Sequence, residues 1–113
     1  MRKINNIPVG PHFRLYEFED PTTKEVILHE TIANILNLVR DEYGKPISLS
    51  SGYRTEKHNA EVGGQPDSKH PKGEAIDMVV LHEDFTTLEK ILSRYTHLIQ
   101  IVRKADHIHI ELI

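Results

Sequence analysis

Residues 68–77 read Ser-Lys-His-Pro-Lys-Gly-Glu-Ala-Ile-Asp, and residues 106–112 answer them with Asp-His-Ile-His-Ile-Glu-Leu. From Glu74 to Leu81 the residues alternate as a strand does: Ile76, Met78 and Val80 fall on one face, Ala75, Asp77 and Val79 on the other. From Asp106 to Ile113 the same alternation turns Ile108 and Ile110 to the core and His107, His109 and Glu111 to the opposite face. A carboxylate in the middle of a strand is costly unless something pairs with it. Set the two strands side by side and Asp77 and His109 stand on one sheet face. His70, in the turn before the first strand, reaches over the same spot, and Gly73 lets the chain bend there. Two imidazoles and a carboxylate from separate segments are the ligand set of a catalytic zinc, with a fourth position left for water. Cobalt or manganese can replace zinc at such a mixed nitrogen and oxygen site in vitro.

The elements around this pair follow from periodicity. Ile32, Ile35, Leu36, Val39 and Tyr43 mark one face of a helix from Glu30 to Tyr43, stopped by Gly44 and Pro46. Ile47 to Ser51 alternates as a short strand with Ile47 and Leu49 inward, and His58 to Asp67 reads as a polar loop. Asp84 to Tyr95 returns to helical spacing, with Thr86 and Glu89 as a capping box. His97 to Val102 is a further strand, followed by a basic turn at Arg103 and Lys104. Residues 1 to 28 hold Pro8, Gly10, Pro11 and Pro21 and read as irregular chain with room for one short helix or strand. His12 and His29 in that region are read as surface residues. The sum is an α+β domain spanning residues 1–113, with a small, mostly antiparallel sheet, helices on one face and residues 1–11 as an irregular N-terminal arm.

Composition limits the function classes. At 113 residues there is room for one modest core. Fourteen basic against seventeen acidic residues give a net charge of -3, which offers no footprint for nucleic acid. There is no cysteine, so disulfides, thiolate metal sites and a cysteine nucleophile are excluded. No apolar run approaches a membrane span, and the N-terminus lacks the apolar region of a signal peptide. The chain as written is expected to be synthesised in the cytoplasm and to act outside it only on release. No large apolar face remains after the core is assigned, so a monomer is expected.

Ser50-Ser-Gly-Tyr-Arg54, Asn59, Gly63-Gly64, the pattern Ser68-x-His70-x-x-Gly73-x-Ala75-x-Asp77 and His107-Ile-His109 together resemble the zinc D-alanyl-D-alanine carboxypeptidase family. These peptidoglycan peptidases share their fold with the Hedgehog amino-terminal domain, and the resemblance covers roughly residues 12 to 113. It implies one zinc per chain, held by His70, Asp77 and His109, the same set that strand alternation brings together. It also implies that Arg54 lies by the active site and stabilises the substrate carbonyl or carboxylate, a task suited to a guanidinium fork. Ser68 resembles the family's substrate-contacting serine. Many members carry an acidic residue three positions before the last ligand, where Asp106 stands. Asp106 is therefore placed first as general base, although strict alternation turns it away from His109; His107 comes second and Glu111 third. The implied reaction is metal-assisted hydrolysis of an amide bond in a peptidoglycan peptide, by a D,D-carboxypeptidase or a cell-wall endopeptidase. Arg54 and the metal hold the oxyanion, and the base passes its proton to the leaving amine. The alternatives are a zinc-containing binding module without catalysis and a phage accessory or structural domain.

Overall fold

The computed structural model describes residues 4–113. Its elements run β1 (Pro8–Val9), β2 (Phe13–Arg14), a 3-10 turn (Leu15–Phe18), α1 (Glu30–Tyr43), β3 (Leu49–Ser51), α2 (Glu56–Glu61), a 3-10 turn (His70–Lys72) and β4 (Ala75–Val79). After a 3-10 turn at His82–Asp84 come α3 (Phe85–Leu92), another such turn at Ser93–Tyr95, β5 (Ile99–Arg103) and β6 (His107–Leu112). The main sheet has the order β3-β4-β6-β5, and every neighbouring pair in it is antiparallel. The helices lean on it through one apolar core: Ile32, Ile35, Leu36 and Val39 of α1 and Phe85, Leu88, Ile91 and Leu92 of α3 join Ile76, Met78, Ile99, Ile108 and Ile110 of the sheet. Helix and strand periods thus bury complementary faces, and the expected α+β class with its small antiparallel sheet is what forms. Among the described residues no helix is long and apolar enough to cross a membrane.

Helix α1 occupies the expected span. His29 caps its start by accepting from the Thr31 N–H, and Gly44 ends it in the left-handed region at φ 76°. Four readings from the sequence need correction. The segment before residue 28 is more ordered than expected: β1 and β2 form a small antiparallel sheet, and Phe13 and Phe18 are buried in the core with their rings edge to face. Met1 to Lys3, the start of the expected arm, lie outside the described residues. The expected polar loop at His58 to Asp67 begins as helix, because Thr55 accepts from the His58 N–H and caps α2. No capping box forms at α3; Thr86 lies inside the helix, and Glu89 instead pairs with Arg103 at 2.9 Å. Arg103 belongs to β5, with its guanidinium over the Phe85 ring, so the turn begins only at Lys104.

Candidate metal centre

Strand register builds the site. Pairing of β4 with β6 sets Asp77 directly opposite His109 and Met78 opposite Ile108. One face of the pair therefore carries the carboxylate and the imidazole, while the alternate residues fill the core. His109 Nδ1 lies 2.7 Å from Asp77 Oδ1. His70 enters from the 3-10 turn ahead of β4, its Nε2 3.5 Å from Asp77 Oδ2 and its ring centroid 5.2 Å from that of His109. Candidate ligand atoms of His70, Asp77 and His109 all lie within 4.8 Å of one another.

Each ligand candidate is held from behind. His70 Nδ1 donates to the Gly52 carbonyl at 2.7 Å, which fixes the tautomer and turns Nε2 toward Asp77. That carbonyl is delivered by a close backbone crossing: Tyr53 N donates to Phe18 O at 2.7 Å, and a Cβ on Gly52 would stand 2.6 Å from the same oxygen. Gly73, at φ 69°, makes the turn into β4 against the Ile27 carbonyl. On the other side, His109 Nδ1 shares its proton with Asp77 and Nε2 lies 2.9 Å from Glu111 Oε1, so when a metal takes the place of the Nδ1 proton, Nε2–H stays with Glu111 and the Nδ1 lone pair serves the cluster. Burial by itself raises the Asp77 pKa, but hydrogen bonds from His109 and His70 outweigh it and hold the carboxyl well below its ordinary range. Burial lowers that of His109, while its bonds to Asp77 and Glu111 prevail and raise it. A buried carboxylate between two imidazoles, each oriented by a further acceptor, is a donor set that fits zinc.

Arg54 stands at the edge of this cluster with Nη2 3.5 Å from Asp77 Oδ2. It is held by Ser51 Oγ, 3.0 Å from Nε, and by Asn59 Oδ1, 3.1 Å from Nη1. Asn59, itself buried, donates in turn to the Gln65 carbonyl at 2.9 Å, and Gly64 leaves it room: a Cβ there would meet Asn59 Oδ1 at 2.0 Å. Ser68 Oγ accepts from the His70 N–H at 3.2 Å, so it shapes the turn that carries His70 while lining the cleft. A cavity of about 450 Å³ opens over the cluster, walled by Arg54, Ser68, Lys104, His107 and Glu111 among others.

His107 shares the cavity with His109; Asp106 does not line it. The strand starts at His107, and the Asp106 side chain is 89% exposed, its Oδ1 2.7 Å from His107 Nδ1. The hydrogen bond from His107, against a smaller opposing effect of burial, holds the Asp106 carboxyl below its usual range. His12 and His29 lie elsewhere, the first against Asp41 and the second at the α1 cap. The sequence reading passed over Asp20 and gave Asn59 no role. Asp20 precedes Pro21-Thr-Thr, a turn signature that marks it as a loop anchor. No spacing rule connects it to its distant partners Thr55 and His58.

A two-histidine, one-carboxylate centre on the open face of an antiparallel sheet, with a guanidinium beside it, defines a metallohydrolase-like site. The chain belongs to the peptidase M15 family, whose model matches residues 14–111. This agrees with the resemblance carried by the sequence motifs. Among solved structures it is similar to the L-Ala D-Glu endopeptidase ChiX of Serratia marcescens, at 18% identity and a TM-score of 0.59, covering 76% of this chain and 80% of that one. At that identity the likeness speaks for the fold. No curated protein matches the chain significantly.

Proposed function

We propose that this protein is a zinc-dependent peptidase that hydrolyses amide bonds in peptidoglycan peptides and works as a monomer. The observation that carries the reading is the convergence of His70, Asp77 and His109 on one point at the floor of an open cleft. Family membership and the fold shared with an enzyme named as an L-Ala D-Glu endopeptidase support it. His70 through Nε2, Asp77 through its carboxylate and His109 through Nδ1 would hold the metal. A bound zinc supplies Lewis acidity and a water made acidic enough to ionise near neutral pH.

The chain's own groups do the rest. Arg54, braced by Ser51 and Asn59, has its planar donors fixed in place, and a fixed donor costs no reorganisation when charge develops on the scissile carbonyl oxygen. Ser68 offers its hydroxyl at the cleft wall beside His70. Proton transfer falls to His107, whose ring lines the cleft, with Asp106 holding Nδ1 and so orienting Nε2. This inverts the order expected from the sequence: Asp106 acts through His107 rather than on the substrate.

Metal analysis of the purified protein beside a His70→Ala variant, with peptidoglycan digested in parallel, tests the reading. About one zinc per chain is expected, lost in the variant together with the release of peptide. Zinc without cleavage would point to a binding module, and absence of metal would remove the central claim.

A further inference from the structure

The cleft over the metal ligands is only one side of the space around Arg54. A second cavity, of about 500 Å³, opens on the other side, lined by Tyr16, Glu19, Leu49, Ser50 and His58 among others. Arg54 and Asp77 belong to both linings. The guanidinium therefore stands at the junction of two arms, not at the closed end of one. Each arm falls within the roughly 300–1,000 Å³ of ordinary ligand sites.

Two features of the second arm suit an extended peptide. Its lining includes β3, which ends the sheet order and has β4 on one side only. An edge strand offers unpaired N–H and C=O groups, the usual dock for a chain in β conformation. The second feature is His58. Asp20, which has no exposed surface, accepts from the N–H groups of Thr22 and Thr23 on one oxygen, at 2.8 and 3.0 Å. Its other oxygen takes the Thr55 N–H and His58 Nδ1, both at 3.0 Å. A carboxylate so placed only accepts, so Nδ1 carries a proton, while Nε2 has no hydrogen-bond partner among the described residues. The ring lines the arm in a fixed orientation.

We infer that this arm is a peptide-binding subsite continuing the cleft beyond the scissile bond, with His58 Nε2 hydrogen-bonded to a backbone group of the substrate. The inference rests on the peptidase reading and narrows it: residues bind on both sides of the cut, so the enzyme acts inside a peptide rather than trimming its last residue.

The test offers the zinc-loaded enzyme two synthetic peptides with the same scissile bond, one with the bond at the chain end and one with it in the interior. His58→Ala and His58→Gln are run in parallel, with zinc content and melting temperature as controls for folding. Wild type should cleave the interior bond with kcat/KM about tenfold higher, since remote contacts are spent on the transition state. His58→Ala should bring that ratio toward one, and His58→Gln, which keeps a hydrogen-bonding group, should restore part of it. Release of the terminal residue at an equal or better rate, or a ratio that neither variant moves, would overturn the inference and leave the peptidase reading standing. If neither peptide is cut, the peptidase reading fails, and the subsite is read from the His58 imidazole NMR signals during titration with the interior peptide. Movement of those signals would uphold the peptide subsite, and unmoved signals would overturn it.

Discussion

At the scale of single residues, the buried carboxylates decide what the chain can do, and each has a different task. Asp77 faces His70, His109 and Arg54, and its burial is tolerable because all of them compensate its charge. Asp20 is equally hidden but faces mostly backbone. Burial works against its ionised form, yet the hydrogen bonds from Thr55, Thr23, Thr22 and His58 overcome this and hold its pKa far below the ordinary value of 3.8. The unfolded chain therefore binds a proton at Asp20 more readily than the folded one, and stability should fall as pH drops below about 4 toward the folded pKa. Urea unfolding of the metal-free protein across acid pH should show this loss. An Asp20→Asn variant should be less stable at neutral pH and show a shallower acid decline; an unchanged decline would remove Asp20 as its source. The clustering of His70, Asp77 and His109 was legible in the sequence because strand alternation and a short turn bring them together. Asp20 was not, since its contacts to Thr55 and His58 reach across thirty-five and thirty-eight positions.

At the scale of elements, what the sequence could show depended on whether a segment's structure is decided locally. Helix α1 was legible to both ends, since its apolar stripe and Gly44 stop are local. Strands β4 and β6 were legible within a residue or two because alternation on a half-buried sheet leaves one workable register. The misread parts are those decided by tertiary contacts. Helix α2 is short and polar, and Phe13 and Phe18 find the core only after the chain has crossed behind Gly52. Two glycines make this difference measurable. Gly44 and Gly73 both have φ near 70°, but a Cβ on Gly44 meets nothing within 4 Å, whereas one on Gly73 would stand 2.3 Å from the Ile27 carbonyl oxygen. Gly44→Ala should cost about 1 kcal/mol, the left-handed strain alone. Gly73→Ala carries the same strain and a backbone clash, so about 3 kcal/mol is expected. It should also weaken metal binding, because Gly73 ends the turn that presents His70. Equal costs in urea melts would show that the Ile27 crossing gives way freely.

For the whole molecule, the sheet divides two jobs between its faces. Ile76, Met78, Ile108 and Ile110 hold the helices, while Asp77 and His109, the residues between them, hold the centre. The core therefore does not pass through the candidate metal site, unlike a zinc finger, where the ion replaces a core. Stripping the metal with a chelator should leave the far-UV circular dichroism of the folded protein unchanged at room temperature. The melting temperature should nonetheless drop, since a ligand bound only to the folded state adds about 2.7 kcal/mol when present at 100 times its Kd. Returning zinc should restore both the melting temperature and peptide cleavage. Collapse of the circular dichroism on chelation would mean that the site carries the fold, and the division between the two faces would be wrong. A melting temperature indifferent to zinc would instead mean that His70, Asp77 and His109 do not bind it, and that their contacts with one another are the whole purpose of the cluster.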